Sequence, residues 1–249
     1  MRRAGAILAG LALLVSGCGS SGKPKLTVFA AASLRKALMS YAARFGQAGV
    51  RFSFAGSDML AAQIEQGVRP DVFASANTEL PEELYAKHLV GKPVVFASNK
   101  LVLAVPAGSE EITRFADARR PGVTLAVGSA TVPIGQYTAT VLDRLYPRAR
   151  VQLFSNVADR EPDVTGIVGK LVEGAVDGGF LYATDVAATD GKLRAIELPA
   201  SLQPTVAYAA AALAGGGHAA QARAFIQGLL RESGRQALRA AGFLPPPSR

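Results

Sequence analysis

The heptapeptide VFAAASL, residues 28–34, joins a strand pattern to a helix pattern. An apolar β-type run ends in three alanines and Ser33, and the following residues have the i, i+3, i+4, i+7 spacing of a helix with one buried face. The apolar positions of that helix are Leu34, Ala37, Leu38, Tyr41, Ala42 and Phe45. Ser33 is therefore predicted to be an N-cap, with the first backbone N–H groups of the helix available to an anion.

A second junction of the same kind occurs at Ser57. Residues 50–54 alternate apolar and polar side chains, and the helix spacing resumes over residues 60–67. Each serine alone is the residue type expected at an N-cap. Two serines after successive strands favour one shared ligand, because ligands of open α/β sheets collect at the carboxyl ends of the strands.

Strand and helix patterns alternate along the rest of the chain. Further strands are predicted at residues 71–76, 94–106 (two runs), 123–127, 151–154, 178–182, 193–198 and 206–213. This alternation predicts an α/β fold whose sheets are mixed, mostly parallel and flanked by helices. We expect two lobes, residues 25–107 with 201–249 and residues 108–200, joined by crossings near Pro106 and Pro204.

The first 17 residues have the features of a secretory signal. Two arginines precede an apolar run over residues 4–15, which ends in Ser16 and Gly17. The run VSGC is similar to a bacterial lipobox, in which Cys18 is lipidated and becomes the N-terminus. We expect a signal peptide over residues 1–17, a tether over 18–24, and an extracytoplasmic protein anchored to the cell membrane as a lipoprotein. The alternative is an ordinary signal peptide followed by an unmodified cysteine.

Composition excludes several other classes of site. Cys18 is the only cysteine, so neither a disulfide framework nor a thiolate metal centre is possible. The two histidines, His88 and His218, lack metal-ligand spacing, and no metal site is expected. The net charge of +8 falls to +6 without the two signal arginines, and the basic residues are scattered. We therefore expect no nucleic-acid partner.

Ser33 also permits an enzymatic interpretation. Ser33 and Lys36 match the S-x-x-K pattern of penicillin-binding proteins and β-lactamases, in which the lysine helps to activate a nucleophilic serine. The companion motifs are missing, because Ser57 and Asp58 are followed by methionine instead of asparagine and no K-T-G occurs. A serine acyl hydrolase using Ser33 and Lys36 is thus the alternative from a different class.

Segments from the whole mature chain together resemble the molybdate-binding proteins that deliver their ligand to ABC importers, the ModA family. They are VFAAASL, FAGSDMLAAQIEQG, PDVFASAN, TLAVGSATVPIG, EPDVTG, GFLYATD and GRQALRAAGF. The resemblance implies a type II periplasmic-binding-protein fold of two lobes and no enzymatic activity. It also implies molybdate or tungstate as the ligand, no cofactor, no direct coordination of a metal by the protein, and an ABC permease as the partner. We expect a monomer.

The resemblance implies five binding residues. Ser33 and Ser57 would donate from hydroxyl and backbone groups, Ile134 and Val164 from backbone N–H groups, and Tyr182 from its phenol. A fully ionised tetrahedral oxyanion accepts hydrogen bonds only, so such a donor set suits it. Protonated phosphate would need an acceptor, whereas sulfate differs from molybdate mainly in size. Another oxyanion such as sulfate is thus the alternative ligand.

Three residues depart from the family pattern. Asp58 stands where some members have serine, Ile134 where a smaller residue is usual, and Thr165 where arginine can follow the valine. The charge of Asp58 would disfavour a dianion unless its carboxylate turns away to cap the helix.

Overall fold

The structure, a computed structural model, describes residues 25–247. The predicted signal peptide and the whole of the predicted tether, Cys18 included, lie outside these residues. Within them, no helix is both long and apolar enough to cross a bilayer.

The described residues form ten strands and nine α-helices. The strands are β1 (Lys25–Ala31), β2 (Gly49–Ala55), β3 (Val72–Ser75), β4 (Val94–Asn99), β5 (Leu101–Pro106), β6 (Leu125–Gly128), β7 (Val157–Glu161), β8 (Gly178–Tyr182), β9 (Leu193–Glu197) and β10 (Val206–Ala212). The helices are α1 (Arg35–Ala42), α2 (Ser57–Glu65), α3 (Glu79–Ala86), α4 (Pro133–Asp143), α5 (Pro147–Ser155), α6 (Val164–Val172), α7 (Ala183–Ala187), α8 (Ala219–Leu229) and α9 (Glu232–Ala240). This is the predicted α/β class.

The strands make two five-stranded mixed sheets, in the orders β2-β1-β3-β10-β4 and β7-β6-β8-β5-β9. In the first sheet β1 runs parallel to β2 and β3, whereas β10 is antiparallel to its neighbours. In the second, β6 runs parallel to β7 and β8, whereas β5 is antiparallel to its neighbours. We call each sheet with the helices packed on it the first and the second lobe. The helices of the first lobe are α1, α2, α3, α8 and α9, and those of the second are α4, α5, α6 and α7.

The position of the first crossing differs from the prediction. The sequence placed it near Pro106, but β5 pairs with β8 and β9 and so belongs to the second sheet. The chain therefore leaves the first sheet at Asn99 and enters the second at Leu101, with Lys100 between them. It returns between Glu197 and Val206. The sequences of the two adjacent apolar runs, which form β4 and β5, do not indicate which sheet each run joins.

The strand predicted at residues 151–154 is wrong, because these residues lie inside α5. Pro147 occupies the first turn of that helix, where its missing N–H has no cost. The buried positions are Ala149 and Leu153, an i, i+4 pair, whereas Val151 is exposed. The strand of this region is β7, which begins at Val157.

Candidate functional site

A small cavity lies between the two lobes. It is lined by all five residues predicted to bind the ligand: Ser33, Ser57, Ile134, Val164 and Tyr182. The two serines follow the carboxyl ends of β1 and β2, and the other three residues belong to the second lobe. The fold thus brings into one cavity residues that are up to 149 positions apart in the sequence.

Three α-helices begin at this cavity. Ser57 and Val164 are the first residues of α2 and α6, and Ile134 is the second residue of α4. Backbone N–H groups at these positions have no carbonyl one turn earlier to bind. Because the N-terminal end of a helix also carries partial positive charge, the cavity favours an anion.

Ser57 is positioned as a donor toward this cavity. Its hydroxyl oxygen accepts a hydrogen bond from the backbone N–H of Ala76 at 3.1 Å, and the residue is only 1% exposed. A backbone N–H can only donate, so the hydroxyl proton of Ser57 remains for another acceptor. The predicted N-cap role is wrong, because Gly56 is the N-cap of α2 and the serine lies inside the helix.

Ser33 is not an N-cap either. It lies in a short 3-10 helix, Ala32–Leu34, that precedes α1, and the residue before that helix is Ala31. The hydroxyl of Ser33 instead lies 3.1 Å from the phenol oxygen of Tyr208 on β10. Its orientation therefore depends on a residue 175 positions away and not on its own helix.

Tyr182 carries a buried hydroxyl that needs a partner. The residue ends β8, is 1% exposed, and makes no hydrogen bond through this hydroxyl to any residue among 25–247. Burial raises the pKa of Tyr182 well above its usual value, so the phenol keeps its proton at neutral pH. Buried polar groups are normally hydrogen-bonded, and a hydroxyl in this cavity is therefore a candidate ligand donor.

The carboxylates beside the cavity are bonded to protein donors. Asp58 accepts from the backbone N–H of Met59 at 2.8 Å and from the hydroxyl of Thr131 at 2.6 Å. Asp163 caps α6 by accepting from the backbone N–H of Thr165 at 2.6 Å. The carboxylate of Asp58 therefore does not cap α2 as the sequence suggested, but it is paired with two protein donors and does not line the cavity. No cluster of His, Cys, Asp and Glu suitable for a metal ion occurs in the described part of the chain.

Contacts across the cavity hold the lobes together. Asp58 and Thr131 belong to different lobes, and so do Asn77 and Gln136, whose amide groups are hydrogen-bonded at 3.0 Å. At Gly56 an added Cβ atom would lie 2.5 Å from the carbonyl oxygen of Pro162 in the second lobe. The sequence did not single out these contacts, since only the three-dimensional fold makes their partners neighbours.

Lys36 does not support an enzymatic role for Ser33. A second groove, open to solvent, adjoins the cavity at Ser33 and is lined partly by Lys36. Lys36 is exposed, while the hydroxyl of Ser33 is paired with Tyr208. The arrangement therefore lacks the lysine–serine contact that activates a nucleophile in S-x-x-K enzymes.

Asp185 makes the stability of the fold depend on pH. Burial raises the pKa of its carboxyl from 3.8 to about 7, against the hydrogen bond from the backbone N–H of Tyr182, which lowers the pKa. The folded protein therefore takes up a proton between about pH 4 and pH 7 that the unfolded chain does not, and stability falls as pH rises through that range.

Replacing Asp185 with Asn should remove this dependence, because the amide oxygen can still accept from Tyr182. We expect this from urea unfolding measured from pH 4 to pH 8. The free energy of unfolding of D185N, relative to that of the wild type, should increase by up to about 4 kcal/mol as the pH rises across this range. Parallel stability curves for the two proteins would contradict the assignment.

Comparisons with known proteins agree with this architecture. The family described as bacterial extracellular solute-binding protein matches residues 26–244. The molybdate-binding protein ModA of Mycobacterium tuberculosis H37Rv is 34% identical over 255 residues, which cover 94% of this chain and 95% of the relative. Two solved structures show the same fold. The periplasmic molybdate-binding protein of Azotobacter vinelandii has a TM-score of 0.80 at 22% identity, over 89% of this chain and 100% of its own. The sulfate-binding protein SubI from Mycobacterium tuberculosis H37Rv has a TM-score of 0.80 at 17% identity, over 89% of this chain and 87% of its own. The chain therefore belongs to the ModA family of bacterial extracellular solute-binding proteins, and it is a binding protein, not an enzyme.

Proposed function

We propose that the protein binds molybdate, and also tungstate, in the cavity between its lobes and delivers the anion to the permease of an ABC importer. The observation that carries this proposal is the buried hydroxyl of Tyr182, which has no protein partner among the described residues and lines a cavity where three helices begin. The relatives named as molybdate-binding proteins support the same ligand.

The proposed donors are sufficient in number. They are the hydroxyl and backbone groups of Ser33 and Ser57, the backbone N–H groups of Ile134 and Val164, and the phenol of Tyr182. A hydrogen bond to a charged group contributes about 1.5–3 kcal/mol. About five of them reach the roughly 8 kcal/mol that micromolar affinity requires. The cavity needs no cofactor for this role.

Sulfate is the alternative ligand, because it has the same charge and shape as molybdate and the sulfate-binding protein SubI has the same fold. Discrimination between the two ions then depends on the size of the closed cavity. Tungstate is nearly the same size as molybdate, so the same donors accept it.

A thermal-shift comparison tests the ligand. The purified protein is heated with molybdate, tungstate, sulfate or phosphate at equal concentration and ionic strength. Molybdate and tungstate should each raise the melting temperature, because a ligand that binds only the folded state stabilises it. A shift with sulfate alone would overturn the assignment of molybdate.

We also propose that the two lobes move as units and that the anion stabilises the closed state. The first lobe comprises residues 25–99 with the segment from Val206 onward, and the second comprises the segment between. The crossings at Lys100 and between Glu197 and Val206 are the proposed hinge. Because donors come from both lobes, a bound anion has more partners in the closed state than in the open one.

The proposed location is outside the cytoplasm, on a lipid anchor at Cys18. The signal pattern of residues 1–17 and the VSGC run support this proposal. Cell fractionation should find the wild-type protein with the membrane and the C18A variant released from it, with S20A as the matched control. Membrane-bound C18A protein would contradict lipidation at this residue.

A further inference from the structure

Tyr208 is a buried polar residue that the proposed function does not use. It lies in β10, an interior strand between β3 and β4 of the first sheet, and its side chain is 0% exposed. Its ring is surrounded by the aromatic rings of Phe243, Tyr182 and Phe96, at centroid distances of 5.2, 5.7 and 6.4 Å. This packing holds the phenol oxygen in one place, 3.1 Å from the hydroxyl oxygen of Ser33.

A third residue, Asn99, also contacts the phenol oxygen. The side-chain oxygen of Asn99 accepts from the backbone N–H of Lys100 at 2.9 Å, which fixes the orientation of the amide. The amide nitrogen then lies 2.8 Å from the hydroxyl of Thr184 and 3.5 Å from the phenol oxygen of Tyr208. An amide NH₂ group donates and does not accept, so the phenol oxygen accepts at this contact.

The phenol has one proton to donate, and Ser33 lies within hydrogen-bonding distance of it. Since the proposed function has Ser33 donate its own proton to the anion, the bond between Ser33 and Tyr208 is then made by the phenol proton. Burial raises the pKa of Tyr208 well above its usual value, so the proton is present at neutral pH. When the phenol donates this proton to the oxygen of Ser33, the proton of Ser33 is left for the cavity. Ser57 is held in the same way by the backbone N–H of Ala76. Each serine then keeps its own proton for the anion.

We infer that Tyr208 is a positioning residue that fixes the hydroxyl of Ser33 as a hydrogen-bond donor toward the anion. The inference rests on the proposed function, because Ser33 is assigned there as a ligand donor. Its consequence is affinity: without the phenol, the hydroxyl of Ser33 loses the partner that holds it in place and leaves its proton for the cavity.

A double-mutant cycle tests this relation by titration calorimetry with molybdate. The proteins are the wild type, Y208F, S33A and the double variant Y208F/S33A. Y208F should bind molybdate about three- to tenfold more weakly than the wild type. In the S33A background the same change should alter affinity less than about twofold, because Tyr208 acts through Ser33. Equal losses in both backgrounds, or no loss in Y208F, would overturn the inference.

Tyr41 provides the matched control. Its buried hydroxyl donates to the carbonyl oxygen of Phe225 at 3.0 Å in the first lobe and does not line the cavity. Y41F should lower the melting temperature without changing molybdate affinity.

A measurement without ligand separates this inference from the proposed function. The buried hydroxyl proton of Tyr208 should give an NMR resonance that is missing in Y208F and has a strong cross-peak to the Cβ protons of Ser33. A wild-type protein that shows the cross-peak but does not bind molybdate would refute the proposed ligand and support the hydrogen bond from Tyr208 to Ser33. Absence of the cross-peak would refute that hydrogen bond, whatever the protein binds.

Discussion

Replacing Ser33 and Ser57 together with alanine should weaken molybdate binding by roughly two to four orders of magnitude. Each change removes one hydrogen bond to a charged ligand, worth about 1.5–3 kcal/mol, and the two serines approach the anion from different strand ends. Titration calorimetry of the S33A/S57A variant against the wild type measures the loss. Affinity within threefold of the wild type would contradict the assignment of both serines.

The double variant should remain folded. Removing the hydroxyl of Ser57 leaves the buried N–H of Ala76 without its acceptor, which costs about 1–3 kcal/mol of stability. Circular dichroism should therefore show native secondary structure with a lower melting temperature. S155A is the matched control, because this exposed serine of α5 bonds only the carbonyl oxygen of Gln152. It should bind molybdate with wild-type affinity.

Gly56→Ala should weaken molybdate binding by about 5- to 150-fold with little change in the stability of the ligand-free protein. A Cβ atom at this position would lie 2.5 Å from the carbonyl oxygen of Pro162 and 2.8 Å from the carboxylate of Asp58. The first contact crosses between the lobes, so the methyl group opposes closure, and overpacking of this kind costs about 1–3 kcal/mol. The backbone of Gly56 is extended and acceptable to alanine.

Small-angle scattering should show the cause of that loss. With saturating molybdate the wild type should contract, whereas G56A should stay closer to its ligand-free dimensions. G49A is the control, because a Cβ atom on Gly49 at the start of β2 would meet nothing within 4 Å. A G56A protein that binds and contracts like the wild type would show that closure does not require this contact.

The sequence predicted the fold class and the members of the cavity well, for different reasons. Apolar periodicity identified several strands and continuous apolar runs identified β8 and β10, because both patterns follow directly from burial. The strand–helix junctions singled out Ser33 and Ser57, whereas Ile134, Val164 and Tyr182 came as binding residues from the resemblance to the ModA family, since isoleucine and valine carry no chemical sign of backbone donation. Their common location in one cavity is a property of the fold.

The errors come from interactions that local sequence does not contain. Residues 151–154 look like a strand, yet Pro147 starts a helix four residues earlier. Strand β5 follows β4 after a single residue and was assigned to the same lobe, yet its partners β8 and β9 lie far along the chain. Ser33 and Ser57 are of the residue type expected at an N-cap, yet neither caps a helix. The hydroxyl of Ser33 is hydrogen-bonded to Tyr208, 175 residues away, and that of Ser57 to the backbone of Ala76, 19 residues away. Pairing partners at such distances cannot be deduced from a single sequence.

The most direct test is an anomalous difference map at the molybdenum absorption edge, from crystals of the protein grown with molybdate. The account predicts one strong peak between the lobes, within hydrogen-bonding range of a tetrahedral anion held by Ser33, Ser57, Ile134, Val164 and Tyr182. A peak elsewhere, or an ordered protein whose interlobe cavity has no peak at saturating molybdate, would contradict it.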